Sequence, residues 1–396
     1  MDRLKKNFST LFWIKAFLNL KTYNIVSSLF YIQRGLAISD LFVLGIVWSV
    51  TSLVSEVPSS YLADRWGRRK TIILGVCFSL VHWCVTLLAD SFVVFIISYI
   101  FYSLSFSMIS GTDEALLYDT HRELGDGQSA LARLGKLMSA ERFFKVATVL
   151  FAVFIAKDLL PWQFNVLIIV DIAATIIALG FALGLEEPIH TMDVEKMESG
   201  ILVDGVRLLR ENIFLRKAMI AKTLIFIATF IPWRFHDTFF TSLGIPIMWF
   251  GIAWALYQGT LFLSGFYIKH ILPFWSLNGR INLTNRIVFM WIALFIVSWY
   301  AFPSPYVLLA CYIGFELFGS ISSPWYGKIF HTQSASFNRA TTISLTNFLK
   351  AIFDIPLLAI AAILSGVSPI FSYYFACGIV CVVLLFLSLP KWKEVN

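Results

Sequence analysis

The sequence predicts an all-α membrane protein of twelve transmembrane helices. Three observations lead there. The 396 residues are 58% hydrophobic and only 14% charged, with a mean hydropathy of +0.78. Apolar stretches long enough to cross a bilayer, about 20 residues each, recur along the whole chain. Lys and Arg are concentrated in alternate connections between those stretches. A soluble domain carries roughly 45–50% apolar and about 25% charged residues, so lipid has to serve as solvent for most of this surface.

The spans read as residues 11–33, 40–63, 71–89, 92–112, 137–156 and 163–185, then 216–238, 246–268, 285–302, 305–326, 341–365 and 369–389. Each is expected to be a helix, because backbone N–H and C=O groups in lipid must be satisfied within their own segment. The basic first residues, with Arg3, Lys5 and Lys6, lead into an apolar stretch without a small-residue cleavage site. An uncleaved first span is therefore expected.

Twelve spans place both termini on one side. Only Arg34, Lys157 and Arg234 fall in the loops of the opposite side, against about 23 of the 31 Lys and Arg residues in the termini and remaining loops. The positive-inside rule then makes both termini cytoplasmic in a plasma-membrane protein. Between the sixth and seventh spans lies the longest polar stretch, which divides the chain into residues 1–185, a linker over 186–215, and residues 216–396. Within the linker, Ile201, Val203, Val206, Leu208 and Leu209 alternate with Asp204, Arg207 and Arg210 in the pattern of an interfacial amphipathic helix.

The same reading excludes several function classes. The net charge of +7 is scattered in short segments, whereas nucleic-acid binding needs a concentrated basic face. Cys77, Cys84, Cys311, Cys377 and Cys381 sit in apolar stretches without metal-ligand spacing and read as small hydrophobes. No metal site, cofactor or catalytic constellation is expected. Without a phosphate-binding loop, direct energy has to come from an ion or solute gradient, unless a separate ATPase subunit supplies it.

The most informative segment joins the second and third spans: Glu56-Val57-Pro58-Ser59-Ser60-Tyr61-Leu62-Ala63-Asp64-Arg65-Trp66-Gly67-Arg68-Arg69-Lys70. A connection this tight needs Gly67 for a backbone conformation that costs other residues more. Asp64 is the only acid among four basic residues, which points to a specific bond, to those arginines or to the positive end of a nearby helix. Asp64, Arg65, Gly67, Arg68 and Arg69 resemble the Asp-Arg-x-Gly-Arg-Arg signature of the major facilitator superfamily, with Ser60 in place of its leading Gly. The segments Ser110–Asp119 and Arg339-Ala340-Thr341 resemble the bacterial twelve-span members of that family. The resemblance implies two six-helix bundles related by a pseudo-two-fold axis. It also implies a cytoplasmic gate in which Asp64 and Arg68 act with an acid after span four, either Asp119 or Asp113. A second copy of the loop is expected between spans eight and nine, where Ser276-Leu277-Asn278-Gly279-Arg280 keeps only the Gly-Arg.

A charge near the middle of the bilayer is expensive and marks a candidate site. Lys21, Glu316, Lys350 and Asp354 fall mid-span on helices that the resemblance makes lining or flanking helices of a transport cavity. Asn24, Gln258 and Asn347 add neutral hydrogen-bonding groups. His82 and Asp171, on spans expected to be peripheral, read as structural, and the Arg234, His236, Asp237 group reads as a solvated outer end, with an outer gate as the alternative. The implied function is a monomeric secondary transporter. It would move a small molecule by alternating access, coupled to a proton or another ion. The alternatives are a lipid or amphiphile exporter of the same fold, or a membrane-embedded enzyme.

Overall fold

The computed structural model describes residues 2–124, 145, 148–149, 151–188, 210, 212–267, 276–333 and 339–390. The described residues are helical apart from short connections. In the first half they form α1 (Asp2–Leu18), a 3-10 turn (Thr22–Val26), α2 (Ser27–Gln33), α3 (Ile38–Trp66), α4 (Arg68–Leu88), α5 (Phe92–Ile109), α6 (Thr112–Leu124) and α7 (Pro161–Leu183). In the second half they form α8 (Ile213–Trp233), α9 (His236–Ser242), α10 (Met248–Tyr267), α11 (Leu277–Ala301), α12 (Pro305–Ile321), α13 (Ser323–Gln333), α14 (Arg339–Val367) and α15 (Pro369–Phe386). Residues 151–155 of the fifth span are helical too. The amphipathic stretch expected over 201–209 lies outside the described residues.

Eight described helical segments are long and apolar enough to cross a membrane: those of spans two, three, four, six, nine, ten, eleven and twelve. The chain divides into two compact units, Met1–Asp193 with Pro246–Ala255, and Val194–Ile245 with Leu256–Asn396.

In the first unit, Leu11 and Ile14 of α1, Ile72 and Val76 of α4, Leu116 and Leu117 of α6, and Ala178 and Ala182 of α7 close into one buried cluster. Lipid is as apolar as these side chains, so van der Waals fit rather than water exclusion holds such a cluster. The alanines let α7 approach closely. In the second unit, aromatic rings take that role. Phe295 of α11 stacks on Tyr373 of α15 at 4.1 Å, and Phe235, Phe239 and Phe240 pack edge-on or tilted around them.

One expectation is corrected. The first span is not a continuous helix: α1 stops at Leu18, Lys21 turns left-handed at φ 41, and a 3-10 turn follows. The seventh span is interrupted as well, where Pro232 in the last turn of α8 precedes a non-helical Phe235. Each broken span then ends in the same closure. Gly35 N–H donates to Ile32 C=O at 3.0 Å and Leu36 N–H to Tyr31 C=O at 3.1 Å; Gly244 N–H donates to Thr241 C=O at 2.9 Å and Ile245 N–H to Phe240 C=O at 3.1 Å. These are Schellman closures, and both glycines hold positive φ, +86° and +81°.

Candidate functional site

Two regions gather polar groups. The first is the end of the first unit where α3 meets α4. Trp66 closes α3 and Arg68 opens α4, leaving Gly67 alone to make the turn at φ 107. A helix start exposes N–H groups without intrahelical partners. Here Glu187, just beyond α7, supplies them: its two carboxylate oxygens accept from Arg68 N–H and Arg69 N–H, each at 2.8 Å. The Arg69 guanidinium donates to Leu183 C=O at 2.9 Å.

Side chains complete this end. Arg68 pairs with Asp119 of α6 at 2.7 Å, and Lys15 of α1 pairs with Asp113 at 2.6 Å. Of the two acids considered for Arg68, the geometry therefore brings Asp119 to it and sends Asp113 to Lys15. Asn7 of α1, fully buried, grips the backbone of Glu186 through both its amide atoms, Nδ2 to C=O and N–H to Oδ1, each at 2.9 Å. Asp64 is half-buried in the last turn of α3. Arg65 is exposed and donates to the Tyr61 hydroxyl. In the second copy, Ser276 caps α11 by accepting from Gly279 N–H at 3.2 Å, so Gly279 lies inside the helix rather than in a turn.

The second region lies at mid-helix depth, and it is described unit by unit. In the first unit Lys21 Nζ donates to the Tyr102 hydroxyl at 3.0 Å. The Tyr102 ring stacks on His82 at 4.7 Å, and His82 Nδ1 meets Ser98 Oγ at 2.7 Å. Asp171 accepts from Thr22 N–H at 2.9 Å and from Tyr23 N–H at 3.2 Å, while Thr22 Oγ1 donates to Leu167 C=O at 2.9 Å. Asn24 sits in the 3-10 turn, where its carbonyl accepts from Ser27 Oγ.

In the second unit Glu316 of α12 is 9% exposed, and its Oε1 has no hydrogen-bond partner among the described residues. Tyr312, one turn earlier, stacks on His236 and has Glu316, Tyr373, Asp237 and Tyr257 within electrostatic reach. Asp237 is 1% exposed, which corrects the expectation of a solvated outer end. The short helix α9 that carries it is covered, its Phe239 and Phe240 packing on Phe295 of α11, Tyr312 of α12 and Tyr373 of α15. Lys350 and Asp354 of α14 stand 3.9 Å apart, with the lysine also over the Phe226 ring. Gln258 is buried on α10. Asn347 lies on α14, its side chain outside the described set. The Lys350–Asp354 pair lies within α14, and Lys21 belongs with Tyr102.

One group escaped the sequence reading, as did the partners of another. Glu187 stands in the expected linker with nothing local to mark it as a cap. Asp171 was visible as an acid inside a span, but its partners are 149 and 148 residues away in sequence.

Comparison with known proteins bears on the fold. A family model described as "Sugar (and other) transporter" matches residues 2–116. An MFS-type transporter of Bacillus subtilis (strain 168), YxaM, is 33% identical over 86 residues, which is 22% of this chain and 22% of that relative. Among solved structures, a mutant of the nucleoside transporter NupG superposes with a TM-score of 0.77 at 13% identity, covering 97% of this chain and 98% of its own. This is the major facilitator fold. A D-xylose–proton symporter gives the same result, TM-score 0.75 at 12% identity over 97% of both chains. A bacterial homologue of the lysosomal transporter Spinster, captured inward-facing, gives 0.72 at 14% identity over 98% of this chain and 95% of that one. At 12–14% identity, what this chain shares with these solved transporters is the all-helical fold.

Proposed function

We propose that this protein is a secondary transporter of the major facilitator superfamily in the plasma membrane. It moves a small polar molecule by alternating access, with Glu316 as the group that couples movement to a proton or another cation. Residues 186–215 are the connection between its halves. The Arg68–Asp119 and Lys15–Asp113 pairs with the Glu187 cap form a latch at its cytoplasmic end, in which Asp64, Arg65 and Arg69 take part.

The observation that carries the coupling assignment is a nine-tenths buried glutamate whose Oε1 has no hydrogen-bond partner among the described residues. A buried charge needs a partner, and at this depth lipid supplies none. A proton or cation taken up and released during the cycle is the partner that fits. Asp354 supports the reading by contrast, since Lys350 is close enough to balance it.

The experiment uses proteoliposomes with imposed pH or sodium gradients, offered D-xylose, nucleosides and short peptides, the cargo classes of the structural neighbours. Glu316→Gln is expected to abolish gradient-driven accumulation while leaving exchange down a gradient intact. Accumulation by Glu316→Gln equal to that of the unmodified chain sinks the assignment.

A further inference from the structure

The basic residues at the corner between α3 and α4 divide into two sets. Arg68 is taken by Asp119, and the Arg69 guanidinium by Leu183 C=O. Arg65 and Lys70 are exposed, and neither makes an ion pair among the described residues. Each rests instead on an aromatic ring. Arg65 donates to the Tyr61 hydroxyl with its guanidinium 5.8 Å from that ring's centroid, and Lys70 Nζ lies 5.9 Å from the centroid of Trp66.

The nearby acids do not balance these two cations. Asp119 is spent on Arg68, and Glu187 gives both its oxygens to the backbone at the start of α4. Asp64 is half-buried and forms no ion pair with either. A ring orients a cation without cancelling its charge. The two positive charges therefore stay available at the surface of the corner.

The rings say what kind of surface this is. Tyr61 is 46% and Trp66 47% exposed. Tyr and Trp collect at the level of lipid headgroups, where the ring meets the acyl chains and its polar edge meets water. Their place in the chain agrees: both lie in the last two turns of α3, and the apolar stretch of α4 opens at Arg68. Cations at this level, set on exposed rings and left without carboxylates, complement a phosphate that carries net negative charge.

We propose that Arg65, Lys70, Tyr61 and Trp66 form a binding site for the headgroup of an anionic phospholipid. The guanidinium fork matches the phosphate oxygens, and the ammonium adds a point charge. The rings face the glycerol and the upper acyl chains. The site needs only the membrane setting of the fold, so it stands apart from the identity of the transported molecule.

The test is native mass spectrometry of the purified full chain in detergent, titrated with phosphatidylglycerol or phosphatidylcholine. The two lipids share the phosphate and differ in net charge. Phosphatidylglycerol is expected to be held at least about fivefold more tightly. Arg65→Gln and Lys70→Gln are each expected to lower its affinity about fivefold, the scale of one basic residue at an anionic surface, and the double variant about 25-fold. Lys70→Arg keeps the charge and is expected to stay within about twofold. Arg286→Gln removes an exposed arginine of α11 and is expected to change the affinity less than about twofold. Without lipid, Arg65→Gln and Lys70→Gln are expected to melt with the unmodified chain, because both positions are exposed. A preference for phosphatidylglycerol that survives the double variant, an equal loss in Arg286→Gln, or a lower lipid-free melting point in either single variant overturns the proposal. Displacement of the lipid by inorganic phosphate overturns it as well, since the site would then take a free anion.

Discussion

Glu187 meets Arg68 through the backbone, not through the guanidinium: one carboxylate oxygen accepts the Arg68 N–H at 2.8 Å, and the other accepts the Arg69 N–H. An acid at a helix start satisfies orphan donors and matches the positive end of the helix dipole. Arg68 is thereby released to use its side chain elsewhere.

Glu187→Ala is expected to destabilise the first unit by about 1–2 kcal/mol, the usual scale for losing such a cap. Glu187→Gln should fall between the two, because its amide nitrogen cannot accept. Thermal melts in detergent check the order.

Gly67→Ala tests the same corner from the other side. A Cβ there would approach Glu187 Oε2 to 2.9 Å and would also carry the strain of φ +107. The steric part disappears once Glu187 is truncated, so the two substitutions should be less than additive. A double-mutant cycle that comes out additive would show that Glu187 does not press on this turn.

The Arg68–Asp119 pair is nearly buried, each side chain 12% exposed. Removing one partner strands the other, at a cost of up to about 3 kcal/mol. Asp119→Asn and Arg68→Gln are each expected to lower the melting point more than the double substitution does. A double variant worse than either single variant would contradict the pairing.

In the second unit, Asn282 of α11 grips Leu389 from both sides, donating to its C=O at 2.8 Å and accepting its N–H at 3.0 Å. Asn282→Ala should cost about 2 kcal/mol for the two lost bonds, and Asn282→Asp should recover part by keeping the acceptor. Amide exchange at Leu389 is the direct readout, accelerated in the first variant and intermediate in the second.

Much of this was legible in the sequence. Hydropathy over a 20-residue window marks the spans because lipid leaves helices no alternative, and Gly67 marks the α3–α4 turn because few residues tolerate its φ. What the window hides is the interior of a span. Asn19, Lys21 and Asn24 diluted the first span without dividing it, although three polar residues so close together were the available sign of a break. Choosing between Asp113 and Asp119 needed the position of α1, since Lys15 claims the former. The burial of Asp237 depended on rings from α11, α12 and α15, which no local pattern reports.

The grip of Asn7 on the backbone of Glu186 also imposes an order of events during synthesis. The two residues are 179 positions apart, so at translation rates of about 5–20 residues per second the asparagine waits roughly 10–35 s for its partner to be made. Until then α1 has no seat against the end of α7, although Lys15 can already reach Asp113 of α6. An insertion machine that holds α1 during that interval would protect the chain at its most exposed stage.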